Sequence, residues 1–478
     1  MNDKLNEALN HISDEKLAEA AGMRKRRSFR WVAAVAAVLV IVLVVTALLP
    51  DAAVTASAEG LIASPVYPKM APYPDESKYY KTNDWDAFDK EYSEWSIDIR
   101  TQRDQPAGYA DSLQGYFRTG IPILLSDNGD GGNAVCSPLN IYMALAMLAE
   151  TTGGSSRQQI LDALGADSIQ ALRTQAGQVW NAHYMADSAS TSVLANSLWL
   201  ESGLQYNTET VRTLADSYYA SVYQGDLGSA EMNEALQSWL NEQTGGLLED
   251  QVQNVTMPQE TILALASTIY YRAKWVDKFY ENHNTEDIFH APSGDRTVTY
   301  MKRTLAYGPY YWGEDFGAVY LQLEDNSKMW LILPDEGRSP EDILASGHAL
   351  ELLLGDYYAS ENKADIKVHL SLPKFDVVAD TDLNEKLAAM GITDVMGPAA
   401  NFSPILPEDA AYLDTAKHAA RVKIDEEGVE AAAYTVMMAC GAAMPPEEEI
   451  DFILDRPFLF VITSHDNLPL FAGIVNEP

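Results

Sequence analysis

Two cysteines in 478 residues, Cys136 and Cys440, supply no disulfide framework; they could pair, but one such bond does not carry a domain of this size. Basic residues are scarce too, 33 against 69 acidic, for a formal net charge of −36. After residue 30 no long basic cluster occurs, which excludes binding by charge to nucleic acid or other polyanions. Motifs of catalysis are missing: there is no Gly-x-Ser-x-Gly elbow, no His-Glu-x-x-His, no Cys-x-x-Cys and no glycine-rich phosphate loop. The chain therefore reads as no enzyme, with no cofactor and no metal. Proline is absent where its absence is most telling, from Val429 to Met444, and Glu430 is the only charge in those sixteen residues.

What is present begins with a core: 47% hydrophobic and 10% aromatic residues suit one large domain or two to three smaller ones. Trp31 to Leu49 is an uncharged run of nineteen residues behind the basic "RKRRSFR". That pattern predicts a single membrane-spanning helix of bacterial look, with residues 1–30 as a cytoplasmic leader and everything after Pro50 outside. The alternative is a secretory signal peptide cleaved near "ASA", Ala56 to Ala58. Either way the domain is exported, anchored at the cell membrane or secreted. Leu5, Leu9, Ile12 and Leu17 stand at near-helical spacing within the leader. Residues 50–110, rich in proline, tyrosine and charge, read as an extracytoplasmic spacer whose tryptophans hint at partial docking.

From about Asp111 the texture changes. "SPLNIYMALAMLAETT", Ser137 to Thr152, predicts a helix apolar on all sides and hence buried, opening at the Ser-Pro pair. "TILALASTIYYRAKW", "SKMWLILP", "DIKVHLSLPKFDV" and "PFLFVIT" predict buried strands; "NEALQSWLNEQT" and "LNEKLAAMGI" predict helices. Helices come first and strands dominate later without a strand–helix repeat, so the fold class is α+β. Smaller signals are read as ordinary structure. His283 and His290 in "HNTEDIFH" read as loop or strand edge, and Asp127 to Asn133 as a turn without calcium-ligand spacing. The Asn254 and Asn401 acceptor triplets carry no assigned function, and Cys440 has no cationic neighbour to activate it.

Several separated stretches, in order, resemble the serpin family over about Asp111 to Pro478. They are "AVCSPLNIYMALAML", "NSLWL", "WLNEQTGGLLEDQV", "STIYYRAKWVDKF", "LPKFDV", "LNEKLAAMGITDVM", "AKHAARVKIDEEGVEAAA", "RPFLFVI" and "PLFAGIVNEP". The resemblance implies a large central, mostly antiparallel sheet, smaller sheets, about eight to nine helices and an exposed reactive-centre loop over about 425–449. It matches Ser137 and His418 to the shutter that gates the sheet, and Trp275 to the breach where the loop enters. Ser267 stands where the family has asparagine and Asn140 where it has serine.

The resemblance also implies a function: a monomeric inhibitor whose loop, once cleaved by a serine protease, inserts into the main sheet and traps the covalent acyl-enzyme. A central strand must supply every backbone donor and keep one face free of charge. Val429, Ala431, Ala433, Thr435, Met437, Ala439 and Gly441 form an uncharged parity, with Glu430 on the other. Glu426, Glu427, Gly428, Val429, Glu430, Ala431, Ala432 and Ala433 form the hinge, Val429 replacing the commoner threonine. Counting on from Gly428 as the family does puts the cleaved bond between Ala442 and Ala443, with Met438, Cys440 and Met444 as fallback sites and Pro445 and Pro446 following. Alanine at this position suits elastase-like or subtilisin-like proteases. About fourteen inserted residues at about 3.3 Å each would span roughly 46 Å. The alternative is a noninhibitory binding or surface module on the same fold.

Overall fold

A serine–proline pair is a strong helix start, and the helix Pro138–Thr151 begins there: the Ser137 hydroxyl accepts from the Asn140 N–H, with Pro138 in the first turn. All of its residues except Ala144 are buried, as its all-round apolar sequence requires. The computed structural model describes residues 60–75, 77–82, 84–126, 131–187, 190–246, 252–253, 255–408, 411–429 and 448–478. The leader, the Trp31–Leu49 run, Asn254 and residues 430–447 lie outside that description. No helix among the described residues is long and apolar enough to cross a membrane.

Two large sheets carry the domain. The first comprises β1 (Leu61–Ala63), β3 (Met185–Ala186), β4 (Thr191–Glu201), β5 (Ala220–Gly225), β6 (Leu263–Lys274) and β14 (Gly428–Val429), in the order β1-β5-β4-β6-β14 with β3 on β4. The second has nine strands among the described residues. Its order is β15 (Glu449–Ile453), β11 (Lys363–Pro373), β8 (Gly294–Trp312), β9 (Phe316–Gln322), β10 (Lys328–Pro334), β16 (Phe458–Thr463), β17 (Pro469–Val475), β2 (Ala134–Cys136), and β7 (Thr285–Ala291) pairs with β8. Every pairing in the two sheets is antiparallel except β4 with β5 and β11 with β15. Strands β12 (Asp376–Asp382) and β13 (Lys417–Lys423) pair with each other. The strands read from apolar runs are found as β6, β10, β11 with β12, and β16; β10, β16 and β17 are buried at every position.

Eleven α-helices occur among the described residues, nine of them after residue 111. The other two, Ser77–Thr82 and Trp85–Arg103, lie in the stretch that composition marked as a spacer. The described part of that stretch, from Gly60 on, is folded onto the domain and belongs to the same compact unit. Its aromatic residues explain why: Tyr67 packs on Trp180, Tyr184 and Tyr219, and Phe88 and Ile99 are buried. "HNTEDIFH" becomes a short turn followed by β7, where exposed His290 binds Asp295 at 2.7 Å. Cys136 is buried in β2, and burial pushes its thiol up.

Candidate functional site

Among the described residues, β6 and β13 do not pair with each other: β6 has β4 along one side and only the two residues of β14 on the other, and β13 pairs with β12. The upper end of the space between them is filled by the hinge. Gly428 and Val429 pair antiparallel with Lys274 and Ala273 of β6, and Val429 also bridges Ile424, the residue after β13. The chain reverses through a turn built on Asp425: its N–H donates to the Gly428 carbonyl at 3.1 Å, and its carboxylate accepts from Glu427 N at 2.9 Å and Gly428 N at 3.3 Å. Val429, the second residue of β14, thus lies between β6 and Ile424, with only 4% of its surface exposed.

Gly428 is required there by close approach. A Cβ on it would run into the Ala273 carbonyl oxygen and stand 2.7 Å from the Lys274 Cα. The seat is fastened from the Trp275 side. Trp275, buried, donates its indole N–H to Asp425 O and its backbone N–H to Glu427 O, both at 2.9 Å, and Phe279 N donates to Glu426 O at 3.0 Å. Glu426 is buried and would be raised by that burial, but hydrogen bonds from Lys374, at 2.6 Å, and Asn284 outweigh it and hold the carboxyl below its ordinary range. Glu427 faces Lys278 at 3.4 Å.

Lower down, the N-terminus of the helix Pro138–Thr151 links both sides of the unpaired space. Ser137 N donates to His418 Nε2 at 3.0 Å, and His418 belongs to β13. Three residues on, Asn140 Nδ2 donates to Ser267 O of β6 at 3.2 Å, and the Ser267 hydroxyl lies 2.6 Å from Asn140 Oδ1 and 2.8 Å from Asn196 Oδ1. The Ser137 hydroxyl, besides capping the helix, donates to Leu470 O of β17 at 2.6 Å. Burial pushes His418 down to about 4, so it is neutral and its Nε2 accepts. The serine and asparagine at positions 267 and 140 complete one another's hydrogen bonds.

Ser137, Asn140, Ser267 and His418 are therefore brought together in one network, and Trp275, Glu426, Glu427, Gly428 and Val429 in a second at the upper end. Glu430, Ala431, Ala432, Ala433, Met438, Cys440, Ala442, Ala443 and Met444 lie outside the described residues. Past the loop, Glu449 begins β15, the edge strand beside β11, where Lys367 pairs with it at 2.6 Å. Sequence reasoning did not single out Asn196, Asn284, Lys278 or Lys374. Lys374 stands within the "LPKFDV" stretch, but nothing local marks it as the partner of a carboxylate 52 positions away.

The sequence profile of the family described as "Serpin (serine protease inhibitor)" matches residues 123–478. A leukocyte elastase inhibitor of Sus scrofa is 28% identical over 363 residues, covering 74% of this chain and 95% of that protein. A serine protease inhibitor of Cyanea capillata is 27% identical over 354 residues, covering 72% and 92%. Among solved structures, the thermophilic serpin tengpin in its native state superposes with a TM-score of 0.69 at 24% identity, over 78% of this chain and 95% of that one. Thyroxine-binding globulin in complex with thyroxine superposes with a TM-score of 0.66 at 20% identity, over 77% and 99%. Both structural likenesses concern the fold.

Proposed function

The chain belongs to the serpin family, and from that premise we propose that it is a suicide-substrate inhibitor of serine proteases, elastase-like or subtilisin-like in preference. The observation that carries this is the seat of Val429, the second residue of β14, placed between β6 and Ile424 at the end of β13. Continued in the same register, each later residue pairs one position back along β6, which brings Ala431 to Tyr271, Ala433 to Ile269 and Thr435 to Ser267. The buried face at Val429 is then the uncharged parity, so the loop can follow its hinge without carrying a charge inward.

Cleavage between Ala442 and Ala443 frees the loop to take that path. The protease is held as its acyl-enzyme on the newly freed carboxyl end and is carried with it. At a net of about 1 kcal/mol per new hydrogen bond, insertion releases on the order of 10 kcal/mol, comparable to the stability of a whole domain. Strand addition of this kind relieves strain stored in the uncleaved fold.

A noninhibitory binding module is the second reading, favoured by Val429 in place of threonine and by the shared fold of a thyroxine-binding relative. Thermal melting of intact and loop-cleaved chains separates the two. A large rise on cleavage agrees with insertion, and an unchanged melting temperature agrees with the binding module.

A further inference from the structure

Residues 60–110 precede the matched family region and grip the domain at both ends of their course. At one end β1 adds to β5 as an edge strand, Tyr67 packs on Trp180 at 4.9 Å, and Tyr73 N donates to Asp187 O at 2.8 Å, beside β3 and β4. At the other end Arg103 is 8% exposed and closes the helix Trp85–Arg103. Its Nε donates to Ala182 O at 2.8 Å, and a second guanidinium nitrogen lies 3.0 Å from His465 Nδ1. Tyr109 donates to Asp466, which also holds His183 at 3.1 Å and Ser464. His465 and Asp466 sit in the turn between β16 and β17, part of the nine-stranded sheet.

We infer that residues 60–110 are a strap that resists opening of the first sheet. The inference rests on the inhibitory reading, because it concerns the movement that loop insertion demands. For a strand to enter below Val429, β4, β5 and β6 must shift away from β13. The strap joins the strands on the shifting side, through β1 on β5 and Tyr73 beside β3, to the turn of the other sheet, through the Arg103–His465 and Tyr109–Asp466 contacts. Tyr67 and the Arg103 Nε hold the intervening helix Ile169–His183 at Trp180 and Ala182. A shift of β3 and β4 against that turn pulls on contacts that are buried and charge-assisted, the kind most costly to break. The strap thus holds the uncleaved form against spontaneous insertion.

The test uses the full chain with Arg103 intact, Arg103→Lys and Arg103→Ala, incubated uncleaved below their unfolding temperatures. The rate at which the loop ceases to be cleavable by added protease is followed. The strap predicts conversion about tenfold faster in Arg103→Ala, with Arg103→Lys between the two. Equal rates in all three, with residues 60–110 newly open to proteolysis in Arg103→Ala, overturn it. If even the cleaved intact chain gains no heat resistance, the inhibitory reading fails, and the strap is judged by amide exchange of residues 190–201. Faster exchange there in Arg103→Ala supports it, and unchanged exchange contradicts it.

Discussion

The backbone N–H of Ser137 donates to Nε2 of His418 across 3.0 Å, tying the cap of a buried helix to β13. The bond requires an unprotonated Nε2. Burial holds His418 down to about 4, below the ordinary 6.5, so the unfolded chain binds a proton in this window that the folded chain refuses. Stability is complete above about pH 6.5 and falls as pH drops toward 4, by on the order of 3 kcal/mol for this residue. His465, pushed down to about 3 by burial and then by Arg103, adds in the same direction. Urea unfolding of His418→Gln, measured between about pH 7 and 4, is expected to show a slope shallower by about one proton than the intact chain.

Asn140 and Ser267 exchange hydrogen bonds, so removing one strands the other. Ser267→Ala leaves Asn140 Oδ1 without its hydroxyl donor and is expected to cost about 1–3 kcal/mol. Exchanging both, Asn140→Ser with Ser267→Asn, gives the residue types that the serpin resemblance implies at the two positions. A double-mutant cycle by chemical unfolding should give a coupling of about 1–2 kcal/mol between them. Purely additive losses would show that the two side chains act separately.

Gly428→Ala places a methyl group against the Ala273 carbonyl and forces the hinge away from β6. The expected result is insertion slowed by roughly tenfold, with more chain cleaved and released and less trapped with protease. Counting inhibitor molecules consumed per protease molecule inactivated measures this directly.

Parity gives a sharper contrast. Ala433 shares the parity of buried Val429, whereas Ala432 lies on the opposite one. Ala433→Glu would carry a carboxylate to the core face during insertion and should convert the chain into an ordinary substrate. Ala432→Glu should retain most trapping. Equal behaviour of the two variants would contradict the register proposed from Val429.

Much of this was legible in the sequence for physical reasons that operate over a few residues. The Ser-Pro cap and an apolar helix without a polar face foretold a buried Pro138–Thr151, and continuous apolar runs foretold β10 and β16. Alternation with Glu430 as the one charge indicated which face of Val429 must be buried. Pairings between distant positions were not legible. Glu426 finds Lys374, Ser267 finds Asn140 127 positions away, and Arg103 finds His465 362 positions away. The docking of residues 60–110 was hidden because its aromatic residues have no repeating spacing. They are ordered by the surface of Trp180, Tyr184 and Tyr219 that they cover.

The most direct measurement is made on the protease itself. The chain is mixed with an elastase-like and a subtilisin-like serine protease, and the products are separated in denaturant and weighed by mass spectrometry. The account predicts a covalent species combining the protease with the chain up to Ala442, a released fragment of residues 443–478, and lost protease activity. A chain cut cleanly in two beside a fully active protease, with no denaturant-stable species for either enzyme, would contradict it.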